Sequence, residues 1–164
     1  MISVAVVTIS DSAANGTRVD VSGARLRERA GALGWSVTTQ EVIPDEMDQI
    51  ASLLARLADP GQINVILTTG GTGITPRDVT PEAARKVFDR EIPGLGELMR
   101  AEGLKSTPFA ALSRSLAGVR GRTLILNLPG SPKGAVESLD AIAKLVPHIV
   151  DLMDGRTEHA DVPH

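Results

Sequence analysis

The stretch INVILTTGGTGITPRD, residues 63–78, joins a short apolar run to a loop that contains three glycines, a proline, an arginine and an aspartate. The apolar run, 63–69, predicts a strand. The loop predicted after it, 70–79, is ten residues long, whereas a connection from a strand to a helix normally takes about two to six. The extra length indicates a functional loop.

Apolar strands and amphipathic helices alternate on the amino-terminal side of this stretch. Residues 3–9 are β-branched and apolar on both faces, as expected for a strand that is covered on both sides, and residues 35–43 are the next strand candidate. Each of two predicted helices has one apolar stripe and a stop after it. The stripes are Leu26, Ala30 and Leu33 before Gly34, and Ile50, Leu53, Leu54 and Leu57 before residues 59–61.

The carboxyl-terminal half continues this alternation. A helix is predicted to begin with Thr80 as its N-cap and Pro81 as its first residue and to run to about residue 88, and residues 93–104 predict a further short helix. Two apolar runs joined at residues 120–121 predict a hairpin that adds one antiparallel strand. The periodicity of residues 131–153 predicts one long helix with a bend at Pro147. The order of these elements predicts a three-layer α/β/α fold with a mostly parallel central sheet.

Length and composition limit the organisation of the chain and its function. A chain of 164 residues without repeats can bury one sizeable core, so we assign residues 1–154 to one domain and 155–164 to a polar tail. The absence of cysteine excludes disulfides, thiolate nucleophiles and zinc sites built on sulfur. The histidines, His148, His159 and His164, lack the HExxH spacing of a metal-binding motif.

Charge and hydropathy limit the kinds of partner that the protein can bind. A net charge of -3, with one tryptophan and two phenylalanines, disfavours a nucleic-acid partner. No apolar run is long enough to cross a membrane, and no basic stretch precedes the first apolar run. We therefore expect a soluble, cytoplasmic protein.

Four of the predicted strands end in loops that are rich in glycine and polar residues. These loops are residues 10–12, 44–46, 70–73 and 127–134. Ligands of open parallel sheets bind beyond the carboxyl ends of the strands, so we expect the four loops to gather at one edge and form the site.

Two features of these loops indicate an anion. Glycines in the 70–73 loop let backbone N–H groups approach a phosphate without interference from Cβ atoms, although a tight turn would use the same residues for shape alone. Lys133 is predicted in the first turn of a helix, where the helix dipole disfavours a cation by about 0.3–1 kcal/mol unless an anion is bound. The alternative for Lys133 is an exposed side chain that points into water. Neither the P-loop nor the dinucleotide-binding motif is present.

Asp45 and Asp78 lie on neighbouring strand-end loops. Taken singly, Asp45 is equally explained as a helix N-cap and Asp78 as an acceptor that braces its own loop. A carboxylate ~4 Å from a phosphate is repelled by about 4 kcal/mol at an effective dielectric of 20, so two of them beside a phosphate site indicate a cation in between. Mg²⁺ fits, because proteins hold it with one or two carboxylates together with the phosphates of a substrate.

Five motifs occur in a set order: VIPDE (42–46), TTGGTG (68–73), PRDVTPEA (76–83), LSR (112–114) and LILNLPGSPKG (124–134). Together they resemble the molybdopterin adenylyltransferases, the MogA/MoaB family of molybdenum cofactor biosynthesis, which has relatives in gephyrin and in plants. The resemblance runs from residue 4 to about residue 153.

The resemblance implies a reaction in which the terminal phosphate of molybdopterin attacks the α-phosphate of ATP and releases pyrophosphate. It implies that Asp45 and Asp78 are the catalytic acidic pair, and we assign Mg²⁺ to them without dividing the work between the two. The implied substrate site consists of Ser10, Asp11, Gly70, Gly71, Thr72, Gly73, Glu97, Ser113, Arg114, Asn127, Pro129, Gly130, Ser131, Pro132 and Lys133.

Assembly and pathway also follow by resemblance. It implies a homotrimer, with a hexamer as the alternative, and a downstream molybdenum-insertion protein as a partner. Three other functions stay open: a non-catalytic paralogue that binds the pterin, a nucleotide pyrophosphatase on the same fold, and a plain structural module. The choice between molybdenum and tungsten downstream stays open as well.

Overall fold

The computed structural model describes residues 1–156, which form a six-stranded sheet between two layers of helices. The strands are β1 (Ser3–Ile9), β2 (Ser36–Ile43), β3 (Val65–Thr69), β4 (Arg90–Glu91), β5 (Ala117–Arg120) and β6 (Thr123–Leu128). Their order across the sheet is β2-β1-β3-β6-β5-β4. Strands β2, β1, β3 and β6 are parallel, whereas β5 is antiparallel to both of its neighbours. The predicted three-layer fold with one antiparallel strand is confirmed.

The helices of the structure include those that the sequence predicts, close to their predicted places, and two that it does not, the first helix and a 3-10 helix. They are α1 (Asp11–Ala14), α2 (Val21–Ala32), α3 (Met47–Ala58), α4 (Thr80–Val87), α5 (Pro93–Leu104), α6 (Pro132–Ile142) and α7 (Val146–Met153), with a 3-10 helix at Pro108–Leu112. The predicted stop after α2 is confirmed, since Gly34 has a φ of 81° and lies directly after the helix.

Both faces of the sheet are buried, and successive residues of β1 alternate between two apolar cores. Val4 and Val6 pack on one face with residues of α2, α5, α6 and α7, whereas Ala5 and Val7 pack on the other face with residues of α3 and α4. None of the four is accessible to solvent, which explains why β1 has no polar side. The two predicted helix stripes are buried in these cores, except that Leu33 is only partly buried.

Two details of the prediction are wrong. Thr80 does not cap α4 with its side chain; its buried hydroxyl donates to the Gly70 carbonyl at 2.9 Å, and Val79 precedes the helix without a side-chain cap. The predicted long helix is divided, because α6 ends at Ile142 and Pro147 lies in the first turn of α7. Proline lacks the N–H that a helix interior uses but is accepted in a first turn, so it begins a second helix instead of bending one.

The described residues end shortly after α7. The predicted polar tail, 155–164, lies mostly beyond them, as do His159 and His164, and the assignment of residues 1–154 to one domain stays a prediction. In the part of the chain that the structure describes, no helix combines the length and the apolar character needed to cross a membrane.

The chain turns sharply where β3 ends. Gly70 and Gly71 have φ angles of 103° and 69°, values that residues with a side chain rarely adopt. A Cβ atom on Gly70 would lie 2.2 Å from the Ile9 carbonyl oxygen, and one on Gly71 would lie 2.2 Å from Thr80 Oγ1. Only glycine therefore allows the loop to pass between the end of β1 and the start of α4.

We expect Gly71→Ala to destabilise the fold more than Gly61→Ala. The φ angles are 69° at Gly71 and 67° at Gly61, so both variants carry a similar backbone strain of about 1–2 kcal/mol. A Cβ at Gly61 would meet nothing within 4 Å, whereas one at Gly71 displaces the Thr80 hydroxyl. The buried Gly70 carbonyl then loses its donor, which adds a cost of about 1–3 kcal/mol. Urea unfolding measures the difference, and equal free energies of unfolding would contradict the expectation.

Candidate active site

The loops that follow β1, β2, β3 and β6 meet at one edge of the sheet, as predicted. The Ser10 amide donates to the Ile43 carbonyl at 2.9 Å, which joins the exits of β1 and β2. The Gly70 amide donates to the Leu128 carbonyl at 3.2 Å and joins the exits of β3 and β6. The hydroxyl of Thr69 donates to the Pro129 carbonyl at 2.7 Å and strengthens the second connection.

Two adjoining cavities open at this edge. The polar chamber, about 620 Å³, lies above β1 and β3 and is lined by residues that include Ser10, Arg18, Asp20, Asp45 and Gly70. The apolar chamber, about 370 Å³, lies between α5, α6 and the 3-10 helix and is lined by residues that include Met99, Arg100, Phe109, Leu112 and Glu137. The two chambers share the residues Gly71, Asp78, Gly130 and Ser131. We call these four residues the shared wall.

Asp45 is half-buried in the polar chamber and is paired with Asp11. The backbone amide of each aspartate donates to the carboxylate of the other. The Asp11 amide donates to Asp45 Oδ2 at 2.9 Å, and the Asp45 amide donates to Asp11 Oδ1 at 3.0 Å. Burial raises the pKa of the Asp45 carboxyl above its usual value; the Asp11 amide acts against this shift, and the negative charges of Asp11 and Asp78 add to it. The helix that follows has no side-chain cap, so Asp45 does not serve as the N-cap of α3.

Asp78 is anchored within its own loop. Its Oδ2 atom accepts hydrogen bonds from the Thr75 amide at 2.9 Å and from the Thr75 hydroxyl at 2.7 Å. A Cβ atom on Gly73 would lie 2.7 Å from the same oxygen, so the glycine loop and the carboxylate are in close contact. The bracing role that the sequence left open for Asp78 is therefore present, and the carboxylate lies in the shared wall at the same time.

Arg114 holds the glycine loop from behind. Its side chain donates to the Gly73 carbonyl at 2.7 Å and to the Asp78 carbonyl at 2.7 Å, and its amide donates to the Thr72 carbonyl at 2.9 Å. The guanidinium also forms an ion pair with Glu82. Burial favours protonation of Glu82, but this ion pair lowers the pKa of its carboxyl overall. Arg114 thus fixes the shape of the loop and lines neither chamber.

The carboxylates of the polar chamber fit a divalent cation that is completed by substrate phosphates. Asp45 and Asp78 each use Oδ2 for the loops, and their Oδ1 atoms accept no hydrogen bond from residues 1–156. The chamber is lined by three carboxylates, Asp20, Asp45 and Asp78, and by one basic side chain, Arg18. Within residues 1–156, no cluster of three or more acidic or histidine side chains is arranged to bind a metal by itself. Two carboxylates with phosphate oxygens are the usual Mg²⁺ ligands.

Most residues that the sequence analysis places in the substrate site line one or both chambers. These are Ser10, Gly70, Gly71, Thr72, Gly73, Ser113, Pro129, Gly130, Ser131 and Pro132. The others, which line neither chamber, are Asp11, Glu97, Arg114, Asn127 and Lys133.

Three of these remaining residues lie away from the cavities for identifiable reasons. Asn127 is fully buried in β6, where its amide nitrogen donates to Thr68 Oγ1 at 3.0 Å. Glu97 is exposed on α5. The side chain of Lys133 is 79% exposed and lies 3.6 Å from Glu137, as in the alternative that the sequence left open for it. Their substrate roles stay predictions.

The sequence analysis missed one cation and most of the apolar chamber. Arg18 follows α1 in a loop that is exposed and reaches the polar chamber. The only signal for this in the sequence is that Arg18 lies in the connection after β1. Met99 and Gly103, one turn apart on α5, line the apolar chamber with the 3-10 helix, and nothing in their periodicity distinguishes a cavity from a core.

The chain is similar to known proteins over almost its whole length. Residues 5–148 match the family model described as a probable molybdopterin binding domain. The molybdopterin adenylyltransferase of Helicobacter pylori is 42% identical over 156 residues, which are 94% of this chain and 89% of that protein. The crystal structure of the molybdopterin biosynthesis enzyme MoaB from Thermus thermophilus is similar with a TM-score of 0.89 at 52% identity, over 94% of this chain and 98% of that one.

A longer relative contains the same unit as a part. The molybdenum cofactor synthesis protein cinnamon of Drosophila melanogaster is 44% identical over 163 residues, which are 96% of this chain. This chain spans 27% of that protein's length.

We expect Asp45→Asn to stabilise the protein at pH 7.5. At about pH 3, where the carboxyl is protonated in both the folded and the unfolded protein, the substitution should leave the stability almost unchanged. The pKa of Asp45 is raised by folding, so the parent loses stability as the pH rises through that pKa. Asparagine can still accept from the Asp11 amide but carries no charge. Thermal melts of the metal-free proteins at both pH values measure the effect. Asp48→Asn, which removes a carboxylate that is 98% exposed, is the control. A lower melting temperature of Asp45→Asn at pH 7.5 would contradict the expectation.

Proposed function

The chain belongs to the molybdopterin-binding MogA/MoaB family of molybdenum cofactor biosynthesis, and we propose from that membership that it is a molybdopterin adenylyltransferase. An oxygen of the terminal phosphate of molybdopterin forms a bond to the α-phosphorus of ATP. The bond from that phosphorus to the oxygen bridging to the β-phosphate breaks, and pyrophosphate leaves with the electron pair. The products are adenylylated molybdopterin and pyrophosphate.

The observation that carries this proposal is the shared wall between the two chambers. A transfer between two large substrates requires a place for each and a common boundary where their reacting groups meet. Gly71, Asp78, Gly130 and Ser131 form such a boundary, and each of them lines both chambers. We place the reacting phosphates over these four residues. The apolar chamber takes a flat ring of one substrate, and the polar chamber takes the polyphosphate.

The residues of the site position charges and are not required to move protons. The attacking phosphate is already anionic and needs no general base, so the absence of a catalytic histidine or cysteine agrees with the reaction. Asp45 and Asp78 are the residues that would hold Mg²⁺, which when bound supplies neutralisation of the phosphate charge. In this proposal the amides of residues 71–73 and the side chain of Arg18 bind the phosphates, whereas the Gly70 amide already donates to the Leu128 carbonyl. The role assigned to Lys133 requires that its exposed side chain turn toward the site.

One assay distinguishes this function from the three alternatives. A non-catalytic paralogue would bind molybdopterin without releasing pyrophosphate from ATP, and a nucleotide pyrophosphatase would release AMP from a dinucleotide without pterin. A structural module would bind neither ligand. Pyrophosphate release that needs both ATP and molybdopterin distinguishes the adenylyltransferase from all three, and failure to observe it with purified protein would overturn the proposal.

The substrates and the product also indicate where the protein acts in the cell. The reaction consumes ATP, so we place the protein in the cytoplasm. The adenylylated product is passed to a molybdenum-insertion or tungsten-insertion protein downstream.

We expect a homotrimer in solution. The surface of α5 and the 3-10 helix exposes Leu98, Leu104, Phe109 and Leu112, of which Phe109 is 75% exposed. Exposed apolar side chains of this size are typical of an interface between subunits, and Phe109 and Leu112 line the apolar chamber as well. Light scattering at micromolar concentration measures the mass. A monomer would contradict the expectation, and twice the mass of a trimer would indicate the alternative hexamer.

We expect Asp45→Asn and Asp78→Asn each to slow pyrophosphate release about a hundredfold or more. Loss of either charge weakens the neutralisation of the phosphates by about 3 kcal/mol in the transition state. The double variant is expected to lose less than the sum of the two, because both residues act through one metal. Initial rates with saturating ATP, molybdopterin and Mg²⁺ provide the measurement.

The control for these variants is Asp48→Asn, which removes an exposed carboxylate from the first turn of α3. Its rate should equal that of the parent, and the affinity of Asp45→Asn and Asp78→Asn for molybdopterin should change far less than their rates. Near-parental rates of both single variants would show that the metal assignment is wrong.

A further inference from the structure

Arg77 connects three strand-end loops and lines neither chamber. It lies in the connection from β3 to α4, directly before Asp78. Its Nε donates to Asp11 Oδ2 at 3.0 Å, and its Nη2 donates to Asp11 Oδ1 at 3.0 Å and to Glu46 Oε1 at 2.9 Å. One guanidinium thus joins the loop after β1, the loop after β2 and the glycine loop after β3.

The contacts of Asp11 continue to Asp45. The Oδ1 atom of Asp11 that accepts from Arg77 also accepts from the Asp45 amide at 3.0 Å. In the other direction, the Asp11 amide donates to Asp45 Oδ2 at 2.9 Å. A continuous series of hydrogen bonds therefore runs from Arg77 through Asp11 to the carboxylate of Asp45.

Asp78 is fixed to the same short segment as Arg77. The Asp78 amide donates to the Thr75 carbonyl at 3.0 Å, and its carboxylate accepts from the Thr75 amide and hydroxyl. Asp45 and Asp78 thus share one attachment, residues 75–78. Asp78 is attached directly, and Asp45 is attached through Arg77 and Asp11.

We propose that Arg77 is a positioning residue that sets the placement of Asp45 relative to Asp78 and so prepares the pair to receive the phosphates. The proposal rests on the proposed function of the site. Arg77 acts through Asp11 and lines neither chamber, so it is not itself a catalytic residue.

The fork geometry of arginine is what this position requires. A guanidinium presents several N–H groups in a fixed plane and can bind two carboxylates at once, whereas an ammonium group is a point charge. The side chains of Arg77, Asp11 and Glu46 are 56%, 44% and 48% exposed, and ion pairs with such exposure contribute little to stability. The contribution of Arg77 is therefore expected in the geometry of the site, with little change in the free energy of unfolding.

The test compares Arg77→Gln with Arg85→Gln in the full-length protein. Arg85 is the matched control, because its side chain is 57% exposed and its Nε donates to Glu91 at 3.0 Å from the last turn of α4, at the end away from the glycine loop. We expect Arg77→Gln to lower kcat about tenfold to a hundredfold with a nearly unchanged KM for molybdopterin. Arg85→Gln should match the parent, and both variants should melt near the parental temperature.

A second measurement does not depend on turnover. Mn²⁺ is titrated into protein saturated with a nonhydrolysable ATP analogue that has a methylene group between the α- and β-phosphates, and free Mn²⁺ is followed by electron paramagnetic resonance. We expect Arg77→Gln to weaken Mn²⁺ binding about tenfold. Asp11→Asn should have a similar effect, and the double variant should be no weaker than the poorer single one, because the two residues act in series.

The conservative variant tests the fork. We expect Arg77→Lys to keep the melting temperature and to recover only part of kcat and of Mn²⁺ affinity. Parental values for Arg77→Lys would overturn the forked geometry, and parental values for Arg77→Gln would overturn the proposal. Strictly additive losses in the double variant would also overturn it. If the parent protein itself releases no pyrophosphate, the proposed function fails, and the Mn²⁺ titration still decides whether Arg77 positions the aspartates.

Discussion

The site depends on the close passage of the β3 exit against the end of β1. At Gly70 the space that a Cβ atom would need is taken by the Ile9 carbonyl oxygen, at 2.2 Å. On the other side, a Cβ on Gly130 would lie 3.4 Å from the Gly70 Cα. The exits of β1, β3 and β6 are thus brought together as closely as backbones permit. This packing allows the small polar groups of three loops to face one ligand, and larger side chains would separate them.

Charge is the second constraint on this edge of the sheet. Burial raises the pKa of Asp45, and the negative charges of Asp11 and Asp78 add to this shift. Their mutual repulsion is balanced on the outside by Arg77, whose ion pair lowers the pKa of Asp11. Arg114 holds the carbonyls of the glycine loop from the opposite side. Arg77 and Arg114 therefore fix the loops from outside, and the chamber keeps its acidic oxygens together with one basic side chain, Arg18, an arrangement that suits a cation and an anion arriving together.

The sequence predicts the fold better than it predicts the contacts of the site. Apolar periodicity located the buried strands and helices, since Val4 to Val7 or Ile50 to Leu57 report their burial directly, but it gave no signal for β4, α1 and the 3-10 helix, which bury no residue. Topology then placed Asp45 and Asp78 at one edge. Periodicity could not show that the Thr80 hydroxyl reaches Gly70, or that Arg114 binds loop carbonyls, because these contacts join residues 10 and 41 positions apart. The apolar chamber was missed because Met99 and Leu112 look like core residues until the gap between them is seen.

The shared wall has a consequence for the fate of the product. A product that joins both halves covalently occupies both chambers at once, and a linked ligand gains affinity because its second half binds at a high effective concentration. If each substrate alone occupies one chamber, each exchanges more easily than the conjugate that they form. On this view the site retains what it makes, and release becomes the slow step unless another molecule competes for one of the halves.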